Sequence, residues 1–299
     1  MNQKDTNCPI CQERYFTEIA QKDRYGTATS SLLCMGCGVV FLNPRLELDR
    51  YDEFYTNDYR TLVSKYWGKE ISPEVVDDDA RLYGESLSQF FRNTPYSFRG
   101  VDAIDLGGSS GVAAEILQNE LGLAVTVLDP NQEELSRAKS KGLSTIQGTI
   151  EDKDISSLFG MILMCRTIDH LFDPVAALGK VYEALPQGGW FYVDIVDWLA
   201  VARSEGVVDS LHIDHPFNFT PDSFRAILRD HGFMAIREHI SPEHLGPNSG
   251  VIEHGFLCKK YTQQCYIQIA RPKPHELLRE IRALQAAERK IEVTNVRPL

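Results

Sequence analysis

The stretch Val101-Asp-Ala-Ile-Asp-Leu-Gly-Gly-Ser-Ser-Gly111 decides how the chain folds. It predicts a short buried strand that ends in an acid, then a turn of small residues, and then a helix that begins at Val112. Small residues at 107–111 let backbone amides come close to a bound ligand, which a Cβ would hinder. A second acid, Asp129, ends the next apolar run. This pattern favours a nucleoside-containing cofactor at the carboxyl ends of parallel strands.

The segments on either side of this stretch alternate between strand and helix patterns. Strands are predicted at 103–106, 124–128, 144–147, 161–164 and 190–195, and helices at 112–120, 132–141 and 173–185. Such alternation is typical of a parallel sheet covered by helices on both faces, so the predicted class is α/β with a Rossmann-like sheet. Two later strands are predicted at 235–239 and 266–270, separated by a 26-residue insertion, and an amphipathic helix is predicted at 277–290.

Four of the seven cysteines form two close pairs near the N-terminus, Cys8-Pro-Ile-Cys11 and Cys34-Met-Gly-Cys37. Two such pairs can place four thiolates around one zinc ion. Because four thiolates leave no coordination position open, this zinc ion would be structural, and it would supply folding energy that so short a segment cannot draw from a core. Redox-active thiols and a vacant knuckle are the alternatives.

Composition limits the classes of partner. The net charge of −11 argues against a nucleic-acid partner, whose binding depends on contacts to phosphate. No apolar run approaches the roughly 18 residues of a membrane span. The first residues lack the apolar core of a signal peptide, so we expect a cytoplasmic protein without a membrane partner.

The sequence divides into four predicted regions. Residues 46–100 are rich in aromatic and charged side chains, which favours packing surface or a lid over an active site, and Ser72-Pro73 predicts a helix start there. The C-terminal helix would pack on the domain or on a partner subunit, which leaves a homo-oligomer open. The predicted regions are a zinc-binding domain at 1–60, a helical connector or lid at 61–100, a cofactor-binding domain at 101–272, and a C-terminal helix and tail at 273–299.

The motifs, taken in order, resemble those of the class I S-adenosylmethionine-dependent methyltransferases. Asp105-Leu-Gly-Gly-Ser-Ser-Gly111 resembles their Asp-x-Gly-x-Gly-x-Gly loop, with Ser109 in place of the middle glycine. Arg166-Thr-Ile-Asp-His-Leu-Phe-Asp-Pro174 resembles the stretch after their fourth strand. A nicotinamide dehydrogenase, the rival for the glycine-rich turn alone, would need its glycines in the order Gly-x-Gly-x-x-Gly. The resemblance therefore implies the methyltransferase fold and S-adenosylmethionine as cofactor.

The resemblance also implies which residues contact the cofactor. The carboxylate of Asp129 would accept hydrogen bonds from the ribose hydroxyls, and the segment that holds Glu151 and Asp152 would frame the adenine. The cofactor-binding residues implied are Asp105, Gly107, Gly108, Ser109, Gly111, Asp129, Pro130, Ile150, Glu151, Asp152 and Arg166.

Three features narrow the resemblance to the zinc-containing sugar methyltransferases. They are the cysteine pairs, Phe41-Leu-Asn-Pro-Arg45 and Tyr55-x-x-x-Tyr59. That family acts on nucleotide-linked deoxy sugars and carries a His-Glu-His stretch late in the domain. The segment 211–220 is similar, with Asp214 in place of the glutamate. The implied acceptor is a small molecule, a nucleotide-linked sugar or a related natural-product intermediate, methylated on carbon or oxygen.

Methyl transfer requires a base that removes a proton from the acceptor. Histidine suits this task because its ordinary pKa lies near neutrality, and a nearby carboxylate can orient it. We predict His215 as the base, with Asp214 as the carboxylate and His170 as the second choice. Tyr55 and Tyr59 are candidates for hydroxyls of the acceptor pocket.

Two other classes of function stay open. One is an RNA base methyltransferase that binds RNA with its zinc knuckle, and the other is a non-catalytic protein that binds the cofactor or a partner.

Overall fold

The computed structural model describes residues 6–46, 50, 53–54, 58–155, 159–242, 252–261 and 272–295. The chain forms two compact units. The first unit comprises Met1–Glu70, Val196–Phe224 and Ile269–Leu299, and the second comprises Ile71–Ile195 and Arg225–Gln268. Residues 196–224 were placed within the 101–272 domain by the sequence and fall in the first unit. The four sequence-based boundaries themselves stay a prediction.

The strands begin and end close to the predicted positions in the central part of the chain. They are β1 (Phe16–Lys22), β2 (Ala28–Cys34), β3 (Val40–Leu42), β4 (Asp102–Leu106), β5 (Ala124–Asp129), β6 (Ser144–Gln147), β7 (Met161–Met164), β8 (Trp190–Val196), β9 (Phe217–Asn218), β10 (Phe233–Pro242) and β11 (Ile252–Lys260).

The helices include the predicted ones with small shifts at their ends. They are α1 (Tyr59–Trp67), α2 (Pro73–Arg92), α3 (Val112–Leu121), α4 (Gln132–Ser140), α5 (Pro174–Ala184), α6 (Trp198–Glu205), α7 (Pro221–Asp230) and α8 (Pro274–Asn295). A short 3₁₀ turn spans Ile168–His170. Within the described part of the chain, no helix combines the length and the apolar character needed to cross a bilayer.

The second unit is built on a seven-stranded sheet in the order β10-β11-β8-β7-β4-β5-β6. The pairs β4–β5, β4–β7, β5–β6 and β7–β8 are parallel. All four residues of β7 are buried, as expected for a parallel strand covered on both faces. The α/β class with a Rossmann-like sheet is confirmed. Since β4 is flanked by β5 and β7, the order of the strands reverses there, which is where such sheets bind ligands.

The edge of this sheet corrects one prediction. The insertion predicted between residues 240 and 265 contains β11, which pairs antiparallel with β10. The strand escaped detection because its first half carries Glu253 and His254, which break the apolar run that marks a buried strand. Both side chains are buried, and each has a charged or polar partner: Glu253 pairs with Arg166, and His254 lies at hydrogen-bond distance from Glu238. The strand predicted at 266–270 lies outside the described residues.

Helix α2 covers part of the core of the second unit. Ser72 precedes it and Pro73 is its first residue, as the sequence predicts. Tyr83, Leu87 and Phe91 recur at helical spacing, and all three are buried in the core. The close approach of α2 to α3 depends on a glycine, since a Cβ on Gly84 would lie 3.0 Å from the backbone of the neighbouring helix.

The first unit is built on a four-stranded antiparallel sheet in the order β1-β2-β3-β9. Its core gathers Leu33 and Val40 from the sheet, Trp198 from α6 and Ile281 from α8. The side-chain amide of Gln285 donates to the backbone oxygen of Ile19 at 2.6 Å. The C-terminal helix is therefore part of the first unit.

Candidate functional site

The glycine-rich turn joins the end of β4 to the start of α3. Gly107 has a φ of +76°, and a Cβ there would lie 2.7 Å from Oγ1 of Thr167, so the position requires glycine. Ser109 also lies in the left-handed region, with a φ of +49°. Its backbone N–H donates to Oδ2 of Asp129 at 2.9 Å. Because its φ is positive, Ser109 has a backbone conformation that favours glycine.

Asp129 is the last residue of β5 and is held by backbone donors. Its Oδ1 accepts from the N–H of Asn131 at 2.8 Å, and its Oδ2 accepts from Ser109. Burial raises the pKa of Asp129, whereas these hydrogen bonds act in the opposite direction. A carboxylate has about four acceptor positions, of which these contacts use two. The remaining positions suit the two hydroxyls of a ribose.

Asp105 lies one residue before the end of β4 and is 2% exposed. A Cβ on Gly108 would lie 2.6 Å from its Oδ2, so the turn passes directly over this acid. Its Oδ1 has no hydrogen-bond partner among the described residues. Burial and the nearby carboxylates of Asp194 and Asp129 raise the pKa of Asp105 to about 8. An unsatisfied buried acid costs free energy, which a cationic group of a ligand would recover.

The predicted adenine segment follows β6. Ile150 is 1% exposed and suits an apolar contact with a base. Burial raises the pKa of the half-buried Glu151. Asp152 is exposed, and its Oδ1 accepts from the N–H of Thr149 at 2.6 Å within its own turn. Pro130, which follows Asp129, is also exposed. Contacts of these residues with adenine stay a prediction.

Arg166, two residues after β7, is held in a buried ion-pair cluster. Its guanidinium pairs with Asp79 of α2 and with Glu253 of β11, and it lies 4.5 Å from the centre of the Tyr83 ring. Its backbone N–H donates to Oδ1 of Asp194 at 2.6 Å. Burial alone would lower the pKa of Arg166, but Glu253 and Asp79 raise it. The guanidinium is therefore charged and bound to protein carboxylates, and its predicted contact with the cofactor stays untested.

The rest of the motif after β7 forms local structure. The backbone N–H of His170 donates to the oxygen of Thr167 at 3.0 Å, which closes the 3₁₀ turn. The carboxylate of Asp173 accepts from the N–H of Ala176 at 2.9 Å, so it caps α5, whose first residue is Pro174. The base role of His170 stays a prediction.

In the first unit, the segment between α6 and β9 forms a histidine–carboxylate cluster. Nδ1 of His212 lies 3.0 Å from Oδ1 of Asp214, and the ring centroids of His212 and His215 are 4.0 Å apart. One donor atom from each of the three residues lies within 4.8 Å of the others. The N–H of His215 donates to the oxygen of His212 at 3.0 Å, so a tight turn brings the three side chains together. We name this group the His212–Asp214–His215 cluster.

Two tyrosines and one buried acid surround this cluster within the first unit. Burial and the carboxylate of Asp214 raise the pKa of both Tyr25 and Tyr59. The carboxylate of Asp23 accepts from the N–H groups of Thr27 at 2.7 Å and of Ile213 at 3.0 Å. Asp23 therefore ties the β1–β2 turn to the segment that carries the cluster. Tyr55, the other predicted hydroxyl, lies outside the described residues.

The four predicted metal ligands converge in the first unit. Sγ of Cys8 lies 3.7 Å from Sγ of Cys37, and Sγ of Cys11 lies 3.5 Å from Sγ of Cys34. Four thiolates at about 2.3 Å from a tetrahedral zinc ion lie about 3.8 Å from one another. The backbone N–H of Gly36 points to Sγ of Cys34 at 3.3 Å. The donor set and its spacing fit a structural zinc ion.

Comparisons with known proteins decide the family. A family model described as a methyltransferase domain matches residues 51–238. The chain belongs to this methyltransferase family. A ubiquinone biosynthesis O-methyltransferase from Paramagnetospirillum magneticum is 27% identical over 150 residues, which is 45% of this chain and 60% of that relative. An S-adenosylmethionine-dependent methyltransferase from Leishmania major has a TM-score of 0.51 at 17% identity, over 71% of this chain and 82% of that chain. That structural likeness concerns the fold.

The second unit of the methyltransferase contains groups that fit S-adenosylmethionine, the cofactor that the sequence resemblance implies. Gly107 has no Cβ, so a ligand can come close to the backbone of the turn at 107–111. The two hydrogen bonds that Asp129 accepts leave further acceptor positions for the ribose hydroxyls. The unsatisfied Oδ1 of Asp105 suits the positive charge of the cofactor. When bound, S-adenosylmethionine supplies an activated methyl group on a sulfonium.

The sequence pattern His-x-Asp-His places His212 near Asp214 and His215, but it assigned no separate role to His212. Sequence reasoning missed two further residues of these clusters, Asp79 and Glu253. Asp79 lies four residues before Tyr83, and so on the buried face of α2, where a charged residue needs a partner. Glu253 gave no signal, because its partner Arg166 is far away in the sequence.

Replacement of Asp129 by alanine should weaken the binding of S-adenosylhomocysteine to the methyltransferase by about tenfold or more, since hydrogen bonds to a charged group contribute about 1.5–3 kcal/mol. Isothermal titration calorimetry measures this loss directly. Glu133→Ala removes an exposed acid from the nearby first turn of α4 and serves as the matched control. Equal affinities in the wild type and in Asp129→Ala would contradict the ribose assignment.

Proposed function

We propose that this methyltransferase transfers the methyl group of S-adenosylmethionine to a small-molecule acceptor that is a nucleotide-linked sugar or a related intermediate. The observation that carries the proposal is the His212–Asp214–His215 cluster. It arises from the segment that resembles the late His-Glu-His stretch of the sugar methyltransferases. The four converging cysteines, which resemble the zinc knuckles of the same family, support it further.

In this proposal each part of the chain has a distinct task. Asp129 and the backbone amides of the glycine-rich turn bind and orient the cofactor. An imidazole of the cluster removes the proton from the acceptor, and His215 is the proposed base. Asp214 is proposed to stabilise the positive charge of the imidazole pair, since its buried carboxylate lies 3.0 Å from Nδ1 of His212, whose ring lies beside that of His215. A zinc ion on the four cysteines would hold the N-terminal strands in place without contact with the reaction.

A second candidate acceptor follows from the relative in ubiquinone biosynthesis. That protein is an O-methyltransferase, and a histidine–carboxylate cluster can also remove the proton of an aromatic hydroxyl. The similarity covers 45% of this chain and 60% of the relative. A phenolic acceptor is therefore the alternative against which the sugar acceptor is tested.

A thermal-shift screen tests the acceptor class. The protein is saturated with S-adenosylhomocysteine and melted alone, with a panel of nucleotide-linked sugars, with the corresponding free nucleotides, and with catechol-type phenols. We expect at least one nucleotide sugar to raise the Tm by a few degrees more than its nucleotide alone, since a ligand at about 100 times its Kd adds about 2.7 kcal/mol of stability. The sugar acceptor would be overturned if only the phenols raised the Tm, or if no nucleotide sugar raised it.

A further inference from the structure

The ion-pair cluster around Arg166 lies where the carboxyl ends of three neighbouring parallel strands meet. Asp105 is near the end of β4, Arg166 follows β7, and Asp194 lies in the second half of β8. Since these strands are parallel neighbours, their carboxyl ends share one edge of the sheet. This is the edge that carries the glycine-rich turn. The cluster therefore lies at the edge of the sheet where the cofactor is proposed to bind.

The cluster holds more negative than positive groups. Arg166 pairs with Asp79 and Glu253, and the hydroxyl of Tyr83 donates to Asp194. Two carboxylates therefore pair with the guanidinium itself, Asp194 accepts from the backbone N–H of the same arginine, and Asp105 lies close enough to Asp194 for the two charges to interact. Glu253 is 4% exposed and Asp194 is 1% exposed, so water screens these charges poorly.

Three of the carboxylates are incompletely satisfied. Oδ1 of Asp79, Oδ1 of Asp105 and Oε2 of Glu253 are buried and have no hydrogen-bond partner among the described residues. Burial, together with neighbouring carboxylates, raises the pKa of Asp105 and of Glu253 to about 8, although Arg166 opposes the shift at Glu253. Without a ligand, protons therefore compensate part of the surplus negative charge. A cation that enters the site would take over that role.

The cofactor and its product differ in the charge at sulfur. S-Adenosylmethionine carries a sulfonium and an ammonium group, whereas S-adenosylhomocysteine keeps only the ammonium. We propose that the carboxylate surplus around Arg166 makes the site discriminate in favour of the sulfonium form, and that Glu253 is a specificity-determining residue for the cofactor. When the negative charge of Glu253 is removed, one carboxylate fewer balances the positive charge of Arg166. The guanidinium then repels a cationic ligand more strongly. The discrimination favours release of the product after each transfer.

Isothermal titration calorimetry of wild type and Glu253→Gln tests this proposal without the acceptor. The ligands are S-adenosylmethionine, S-adenosylhomocysteine and sinefungin, which carries a stable amine in place of the sulfonium methyl group. At a pH of about 8.5, where both raised carboxyls are mostly ionised, we expect Glu253→Gln to lose about tenfold in affinity for the two ligands with the extra charge and less than about threefold for S-adenosylhomocysteine. Asp78→Asn removes an exposed acid of α2 and serves as the matched control, with less than about twofold change for any ligand.

The outcomes separate the proposal from its rivals. Equal weakening for all three ligands, or unchanged affinities, would overturn it. Retained binding of S-adenosylhomocysteine shows that the variant is folded, and Asp79→Asn provides a second variant with the same expected selectivity. Because no acceptor is present, failure of the sugar assignment would leave this result unaffected.

The pH dependence supplies a second readout in the same experiment. A cationic ligand favours the ionised carboxyls, so it lowers their pKa on binding and releases protons. The ratio of sinefungin to S-adenosylhomocysteine affinity should therefore rise as the pH approaches about 8 and level off above it. A flat ratio in wild type would contradict the proposal. Besides Glu253 itself, the titratable and charged groups that face the cluster within the described part of the chain are Asp79, Tyr83, Asp105, Asp129, Cys165, Arg166, Tyr192 and Asp194.

Discussion

Replacement of His215 by alanine should lower kcat by about 10²–10⁴-fold, the usual contribution of a positioned general base. The affinity for S-adenosylhomocysteine should stay within about twofold, because the residues proposed to bind the cofactor belong to the second unit. A methyl-transfer assay combined with calorimetry of the product separates the two effects. Imidazole added to the assay should restore part of the activity by replacing the lost side chain.

His275→Ala is the matched control for this experiment. His275 is an exposed histidine at the start of α8 in the first unit, away from the cluster in sequence. The control should keep the wild-type kcat. Wild-type turnover in His215→Ala would remove this residue from the base role. His212→Ala then becomes the deciding variant, since His212 is the imidazole at hydrogen-bond distance from Asp214.

Loss of one cysteine ligand has the second largest expected effect, and it concerns folding. Cys34→Ser should abolish stoichiometric zinc binding and unfold the N-terminal strands, because binding of a structural zinc ion contributes on the order of 10 kcal/mol to the folding of small metal domains. Cys34 is the last residue of β2, and its N–H bonds to the oxygen of Val39. The loss should therefore spread into the β2–β3 hairpin. Elemental analysis and amide hydrogen exchange measure the two consequences.

The zinc prediction has a cysteine control within the same chain. Cys258→Ala changes a buried cysteine of β11 and should keep one zinc ion per chain. Zinc in less than stoichiometric amount in freshly purified wild type, with protected N-terminal amides, would contradict the structural role. Redox-active thiols would then be the better account of Cys8, Cys11, Cys34 and Cys37.

The fold of the second unit could be predicted from sequence because its signals are local. The apolar runs at 103–106 and 161–164 are bounded by turns, and parallel strands buried on both faces give continuous apolar runs. β11 failed this test because the neighbourhood of Arg166 buries Glu253 through an ion pair. The composition of a strand cannot show a partner that comes from a distant loop.

The first unit could not be predicted as one unit from the sequence. It is assembled from three separate stretches of the chain, and β9, which has two residues, completes a sheet that starts near the N-terminus. Such a short strand carries no periodicity of its own. The cysteine spacing predicted that the four thiols come together, because four ligands of one type give a strong local pattern, and the zinc ion itself stays a prediction. The grouping of β9 and α8 with that cluster depends on contacts that only the fold provides.

The candidate site likewise contains residues that the sequence could predict and residues that it could not. The turn at 107–111 and Asp129 were predictable, since each lies at the end of a recognisable strand. The ion pairs of Arg166 were not, because sequence alone assigned this residue to the cofactor and gave no hint of Asp79 as its partner. His212 was visible as a neighbour of Asp214, but the 3.0 Å contact between them required the turn at 212–215.

The central claim is methyl transfer to a nucleotide-linked sugar, and a mass-spectrometric transfer assay tests it most directly. The zinc-loaded protein is incubated with S-adenosylmethionine that carries a deuterated methyl group and with the nucleotide sugar that stabilises it most. We predict a product that gains one labelled methyl group with wild type and that is absent with His215→Ala. A label that appears only on phenolic acceptors, or on no small molecule despite tight cofactor binding, would contradict the account.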